Sequence, residues 1–137
     1  MKPFRFGVNV GPARSRAEWQ DKARRIEALG YDALTVPDHL SDVLAPVPAL
    51  VSAAEATRRL RLGTNVLNND YRHPVLAARE AATLDLLTDG RLLLGLGAGN
   101  VQAEFTQGLA VVLHAVPAHW LRGSFRQFGC CGDDPEV

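Results

Sequence analysis

Apolar and polar positions alternate through Phe4-Arg-Phe-Gly-Val-Asn-Val10, a two-residue period that predicts a β-strand. The period then changes to that of a helix. Trp19, Ala23, Ile26 and Leu29 recur at three- and four-residue steps, and Ser15-Arg-Ala-Glu18 ahead of them is a capping box. Gly30 stands where a helix C-cap favours a residue without a Cβ. A second apolar run, Ala33-Leu-Thr-Val36, predicts a strand that stops at Pro37. The cycle then returns. A helix is predicted from about Val47 to Arg58, a strand over Leu60–Leu67, a loop over Asn68–His73, and a helix from Pro74 to near Asp89-Gly90, with proline at its favoured first turn. Arg91-Leu-Leu-Leu-Gly-Leu-Gly97 is the fourth strand.

The four strands begin near residues 4, 33, 60 and 91, a spacing of about 30 residues, which is the length of a βαβ unit. The second and fourth are apolar on both faces, as strands are when helices cover a parallel sheet. The order βαβαβαβ marks an α/β chain. After about Gln107 the periodicity fails: Trp120–Val137 mixes Gly, Arg, Phe and Cys with neither helical nor strand spacing. The expected organisation is therefore an incomplete domain over residues 1–107 and a divergent tail over 108–137 without assigned structure.

Composition narrows the class. The 137 residues carry zero formal charge, 47% hydrophobic and 22% charged residues, which excludes a disordered or fibrous chain and allows one ordinary domain. Balanced charge removes the drive towards nucleic acid or an anionic membrane, and no apolar stretch approaches the roughly 18 residues of a membrane span. Met1–Phe6 carries no leader-like apolar core, and the only cysteines, Cys130 and Cys131, are adjacent and make no disulfide framework. A cytoplasmic protein is the expectation.

In parallel α/β folds chemistry gathers at the C-terminal ends of the strands. Here those ends carry Asn9, then Asp38-His39, then Asn65 and Asn68, then Gly97-Ala-Gly-Asn100. Taken singly, each has a bland explanation. Asn68-Asn69-Asp70 is turn chemistry, Asp38 caps the next segment, and His39 is a surface histidine. Their convergence on one rim is the signal. Arg72 and His73 read as exposed charges at the start of a helix, and Asp85 with Arg91 as a local ion pair. Gly95-Leu-Gly-Ala-Gly-Asn100 has glycines that let a ligand approach the backbone, but Asn100 stands where the dinucleotide fingerprint needs glycine. No metal-ligand cluster is visible, since His114 and His119 are not at the i, i+4 spacing of a helical pair.

Several runs together resemble the luciferase-like flavin or deazaflavin enzymes. They are Ala28-Leu-Gly-Tyr-Asp-Ala-Leu-Thr-Val-Pro-Asp-His39, Leu62-Gly-Thr-Asn-Val-Leu67, His73-Pro74 with Ala78-Arg-Glu-Ala-Ala-Thr-Leu-Asp85, and Asp89-Gly-Arg-Leu-Leu-Leu-Gly-Leu-Gly-Ala-Gly99. The resemblance covers about residues 4–105. It implies a TIM-barrel (β/α)₈ fold, of which this chain holds the first four βα units, a half-barrel. It also implies FMN or the deazaflavin F420 as cofactor and a small organic molecule as substrate. By the same resemblance Asp38 and His39 lie beside the flavin ring, with His39 suited to proton transfer because the unperturbed pKa of histidine is near neutral. Asn65-Val66 matches the site of a non-prolyl cis peptide and bulge behind the ring. Gly97, Ala98, Gly99 and Asn100 approach the cofactor from the fourth strand. Some deazaflavin-dependent members carry a glutamate acid where this chain has Asn100, and an amide cannot act as a general acid. Glu104, close by, is not assigned that role.

The resulting expectation is an oxidoreductase, with monooxygenase chemistry among its options. A barrel of this type takes roughly 250 residues, so the expected partner is a second copy or a complementary half-barrel. Two other classes remain open. One is a non-catalytic α/β binding module, the other a nucleotide-dependent transferase on an open doubly wound sheet.

Overall fold

The computed structural model describes residues 4–99 and 101. Asn100, Glu104, His114, His119, both cysteines and the tail 108–137 lie outside the described residues. In chain order the elements are β1 (Gly7–Asn9), α1 (Arg16–Ala28), β2 (Ala33–Val36), α2 (Pro46–Ala56), β3 (Arg61–Thr64), β4 (Leu67–Asn68), a 3₁₀ turn (Asn69–Tyr71), α3 (Pro74–Leu87), β5 (Leu92–Leu93) and β6 (Leu96–Gly97).

The helix α1 starts where its capping sequence says. Ser15 Oγ accepts from the Glu18 N–H at 3.1 Å. The reciprocal arm differs from a standard capping box, because the Glu18 carboxylate takes the N–H of Arg14, at 2.9 Å, one residue earlier. Lys22 Nζ holds the other Glu18 oxygen at 2.7 Å. Trp19, Ala23 and Ile26 form the buried stripe of this helix. Trp19 also donates its Nε1 proton to Ala49 O at 2.8 Å, so α1 and α2 are joined by a buried polar bond as well as by packing. Gly30, just past α1, has φ +85°, a conformation that a Cβ would disfavour.

β1, β2, β3 and β5 form one parallel sheet in that spatial order. The register aligns Val8, Leu34, Leu62 and Leu92 in one row. This row meets Trp19, Ala23 and Ile26 of α1, Ala49, Leu50 and Ala53 of α2, and Leu84 of α3 in a single core. The next row, Asn9, Thr35, Gly63 and Leu93, lies on the opposite face. Gly63 is required in that row: a Cβ there would lie 2.5 Å from Leu93 O.

Two predicted strands are each divided. The run expected as one strand over residues 60–67 stops at Thr64, passes a cis peptide bond between Asn65 and Val66, and resumes as β4. The run expected over 91–97 divides between Leu93 and Leu96, and the two outer pieces, β4 and β6, pair with each other in a second, parallel ladder. The first strand is shorter than the alternation suggests, covering residues 7–9 rather than 4–10, and Phe4 and Phe6 are exposed.

Strand order follows chain order throughout the sheet, so every connection advances the same way. An open doubly wound sheet reverses direction at a switch point where its nucleotide binds. No reversal occurs among the described strands, and the transferase reading loses its structural basis. Among the described residues no helix is long and apolar enough to cross a membrane.

Candidate active site

The C-terminal ends of β2, β3 and β4 are tied together by hydrogen bonds. Asn65 N–H donates to Val36 O at 2.9 Å, which joins the exit of β3 to the end of β2. Two residues on, the Asp38 carboxylate turns back to the neighbouring strand. Its Oδ2 accepts the Asn68 N–H at 2.9 Å, and Arg72 grips both carboxylate oxygens, Nη1 to Oδ2 at 2.5 Å and Nη2 to Oδ1 at 3.2 Å. The Asp38 side chain is 6% exposed and that of Arg72 21%. This is a partly buried, bidentate ion pair and not the exposed charge that the sequence suggested for Arg72.

The fourth strand reaches the same cluster through glycines. Thr64 Oγ1 donates to Gly95 O at 2.8 Å and accepts the Gly95 N–H at 3.0 Å, so one hydroxyl bridges the break between β5 and β6. Leu67 N–H also bonds Gly95 O, at 2.7 Å. Gly97 pairs in register with Asn68, and a Cβ placed on it would sit 2.5 Å from Val66 Cγ2. The backbone of β6 therefore passes directly against the Val66 side chain, which is itself 39% exposed.

Of the rim residues expected from sequence, Asp38, Asn65, Val66, Asn68 and Gly97 belong to this connected cluster. His39 is exposed and comes directly after Asp38 in the chain, so the Arg72 clamp holds the segment that carries it. Ala98 and Gly99 continue from β6 and are exposed, and Gly99 has φ +73°. Asn9 lies on β1 and accepts from Thr35 Oγ1 at 3.2 Å. Asn100 lies outside the described residues.

The 68–73 loop matches its sequence pattern in part. Asn68 Oδ1 accepts the Asp70 N–H at 3.0 Å, which is the turn chemistry expected. His73 caps α3, with Nδ1 accepting from Val75 N–H at 3.3 Å. The roles of Arg72 and Thr64 are not visible in the pattern. The one signal for Arg72 is a charged residue beside an apolar helix start, which alone says nothing of a partner 34 residues away. Arg91 also differs from its expected role. Its guanidinium donates to Thr88 O, Leu60 O, Ala54 O and Thr57 Oγ1, binding the turn after α3 to the end of α2, and the expected pair with Asp85 is not among the ion pairs of the described residues.

The cluster's chemistry suits a flat, largely apolar cofactor with a polar edge. Its surface offers Val66 and Leu96, both exposed, floored by the side-chain-free backbone of Gly97. Asn65 and His39, which follow β3 and β2, are both exposed. A cavity of about 260 Å³ beside it is lined by Leu67, Asn68, Arg72, Ala77, Leu94 and Leu96. That is smaller than the roughly 300–1,000 Å³ of a typical small-molecule site. A larger cavity of about 570 Å³ lies at the other end of the strands, among Arg5, Tyr31, Asp32, Arg59 and Arg61. It shares no residue with the rim. Among the described residues no three His, Cys, Asp or Glu side chains are grouped as metal ligands.

The family model described as Luciferase-like monooxygenase matches residues 1–117. Over 116 residues the chain is 36% identical to 4-hydroxyprotoasukamycin monooxygenase of Streptomyces nodosus, covering 76% of this chain and 31% of that protein. It is 34% identical to an F420-dependent glucose-6-phosphate dehydrogenase of Nakamurella multipartita, covering 79% and 34%. Among solved structures, the coenzyme F420-dependent tetrahydromethanopterin reductase of Methanopyrus kandleri superposes with a TM-score of 0.68 at 27% identity, over 76% of this chain and 30% of that one. A type II Baeyer–Villiger monooxygenase of Pseudomonas putida, in complex with FMN, superposes at 0.67 with 23% identity, over 77% and 33%, a likeness of fold alone. The chain thus spans about a third of the length of the relatives it matches. With its parallel βα units resembling part of a TIM barrel, this chain belongs to the luciferase-like monooxygenase family of flavin- and F420-dependent oxidoreductases.

Proposed function

We propose that this chain supplies the cofactor-bearing rim of an oxidoreductase that moves a hydride or electrons between FMN or F420 and a small organic substrate, monooxygenation included. The observation that carries the reading is the contact between Val66 and the bare backbone of Gly97, locked beside the Asp38–Asn68–Arg72 cluster at the strand C-termini. Bound there, FMN or F420 would supply the two-electron chemistry that no side chain of the rim can perform. The protein's residues do the rest. Asn65, Val66, Gly97, Ala98 and Gly99 form the bed. Asp38 anchors the β2 exit, and His39 holds or delivers the proton that accompanies transfer. Imidazole suits that task because its unperturbed pKa lies near neutrality.

Titrating the full chain with FMN and with F420, followed by cofactor fluorescence, tests this. Saturable binding is expected with one of the two, and His39→Ala should weaken it by about tenfold, the worth of one good hydrogen bond. Absence of binding to either, at protein concentrations high enough to assemble, sinks the reading. That result would favour a second reading, a non-catalytic α/β binding module.

A further inference from the structure

We propose that Arg72 is a positioning residue of the rim, fixing the segment that presents His39 by a two-point clamp on Asp38. The inference rests on the reading of this rim as a cofactor bed, but the clamp itself has consequences that need no cofactor. Asp38 comes after β2, whereas Asn68 at the end of β4 and Arg72 ahead of α3 flank one short turn, so the three residues join two parts of the chain that are 30 and 34 residues apart. The Asp38 carboxylate joins all three: Arg72 holds Oδ1 and Oδ2, and the Asn68 N–H takes Oδ2 as well. Arg72 Nη1 also reaches Asn68 O at 3.3 Å, and the same residue pairs with Gly97 in the ladder between β4 and β6. Glu80, on the second turn of α3, adds a longer and more exposed ion pair, 3.9 Å from Arg72 Nε.

The chemistry explains why arginine stands there. A carboxylate buried to 6% exposure needs a cation and filled lone pairs. A guanidinium fork binds both oxygens and fixes the plane of the carboxylate, whereas an ammonium is a single point of charge free to shift. With the plane fixed, the Asp38–His39 backbone has one orientation relative to Asn68, and through Asn68 relative to Gly97. Arg72 therefore acts on the rim through Asp38 and does not itself need to touch cofactor or substrate.

Two variants of the full chain test the clamp, Arg72→Met and Arg72→Lys, with the surface change Arg24→Met as control, since Arg24 pairs with exposed Asp21 in α1. Amide hydrogen exchange by NMR is the cofactor-free readout. Arg72→Met should speed exchange of the Asn68 N–H at least about tenfold while the Leu34 and Leu62 amides, in the central strands, keep wild-type protection. Arg72→Lys should fall between, and it carries the test should the Met variant not fold. Where wild type binds FMN or F420, both Arg72 variants should lower affinity in the same order and change the visible circular dichroism of the bound cofactor. Unchanged Asn68 exchange, uniform loss of protection across the sheet, or full equivalence of lysine would each overturn the proposal. Cofactor binding and dichroism unaltered by either variant would also overturn it. If wild type binds neither cofactor, the oxidoreductase reading fails by itself, and the exchange pattern still decides whether the clamp exists.

Discussion

Gly97 and Gly95 look interchangeable in a glycine-rich run, yet the structure makes them different problems. At Gly97 an added Cβ meets Val66 Cγ2 at 2.5 Å, a side-chain atom, whereas at Gly95 it meets Thr64 O at 2.5 Å, a backbone atom. A side chain can be trimmed and a carbonyl cannot. Gly97→Ala should therefore destabilise the protein by about 1–3 kcal/mol, the usual cost of forcing an extra methyl into a packed contact. Val66→Ala should recover most of that loss in the double variant, because only the Val66 Cβ, 3.4 Å from the new atom, remains. Gly95→Ala should be as damaging and show no such rescue. Urea unfolding of the three single variants and of the two doubles with Val66→Ala completes both cycles, and additive effects at positions 66 and 97 would mean that the two residues do not share the contact described. The same logic says what the sequence hid. A glycine spacing announces that backbone must come close to something, but whether that something is a ligand, a carbonyl or a valine is decided by residues some 30 positions away.

At the level of elements, the junction between α1 and β3 depends on one carboxylate. Glu27 Oε1 accepts three consecutive backbone N–H groups, from Arg58 at 3.0 Å, Arg59 at 2.6 Å and Leu60 at 2.8 Å. Burial pushes the Glu27 carboxyl up, but these three donors and the Arg59 charge together outweigh it and hold the group below its ordinary value of 4.5. A carboxylate whose folded pKa is lowered stabilises the fold at any pH above its unfolded value, and that stability fades as pH falls through the folded value. Glu27→Gln keeps an acceptor oxygen yet removes the charge. It should cost about 1–2 kcal/mol near neutrality, since hydrogen bonds to a charged acceptor are stronger than neutral ones. The difference from wild type should shrink below about pH 4.5. Glu18, also held low, by Lys22 first and then by the Arg14 N–H, is common to both proteins and cancels. Urea midpoints across that range check it, and parallel curves would show that Glu27 does not carry the linkage. None of this is written in the periodicity of α1, where Glu27 is one more polar position. Helices, strands and their order were legible because each rests on local spacing and capping. The two interrupted strands were not, because their breaks arise from pairing with each other as β4 and β6, and an apolar run reads the same with or without a break.

For the whole molecule the question is what covers its apolar surface. Within the described residues β1 pairs only with β2 and β5 only with β3, so each leaves one side without a strand partner. α3 buries Leu84 and leaves Val75, Leu76, Leu86 and Leu87 exposed, Leu86 at 76%. Unpaired edges and a row of exposed leucines favour association, and zero net charge supplies little repulsion against it. A second copy or a complementary half-barrel is the occupant we propose for these surfaces, and the rim chemistry would then depend on assembly. Two measurements on the same samples should consequently move together. Sedimentation velocity should report a concentration-dependent assembly, and affinity for FMN or F420 should rise over the same concentration range. Leu86→Lys changes a side chain that is already in solvent, so it leaves the core of Trp19, Leu34, Leu50 and Leu62 alone. It should raise the concentration for half-assembly by about tenfold, corresponding to roughly 1.4 kcal/mol of lost apolar burial, and shift the binding curve in step. A monodisperse monomer that binds cofactor at full affinity would break the connection, because the four βα units would then hold the cofactor without any help in closing the barrel.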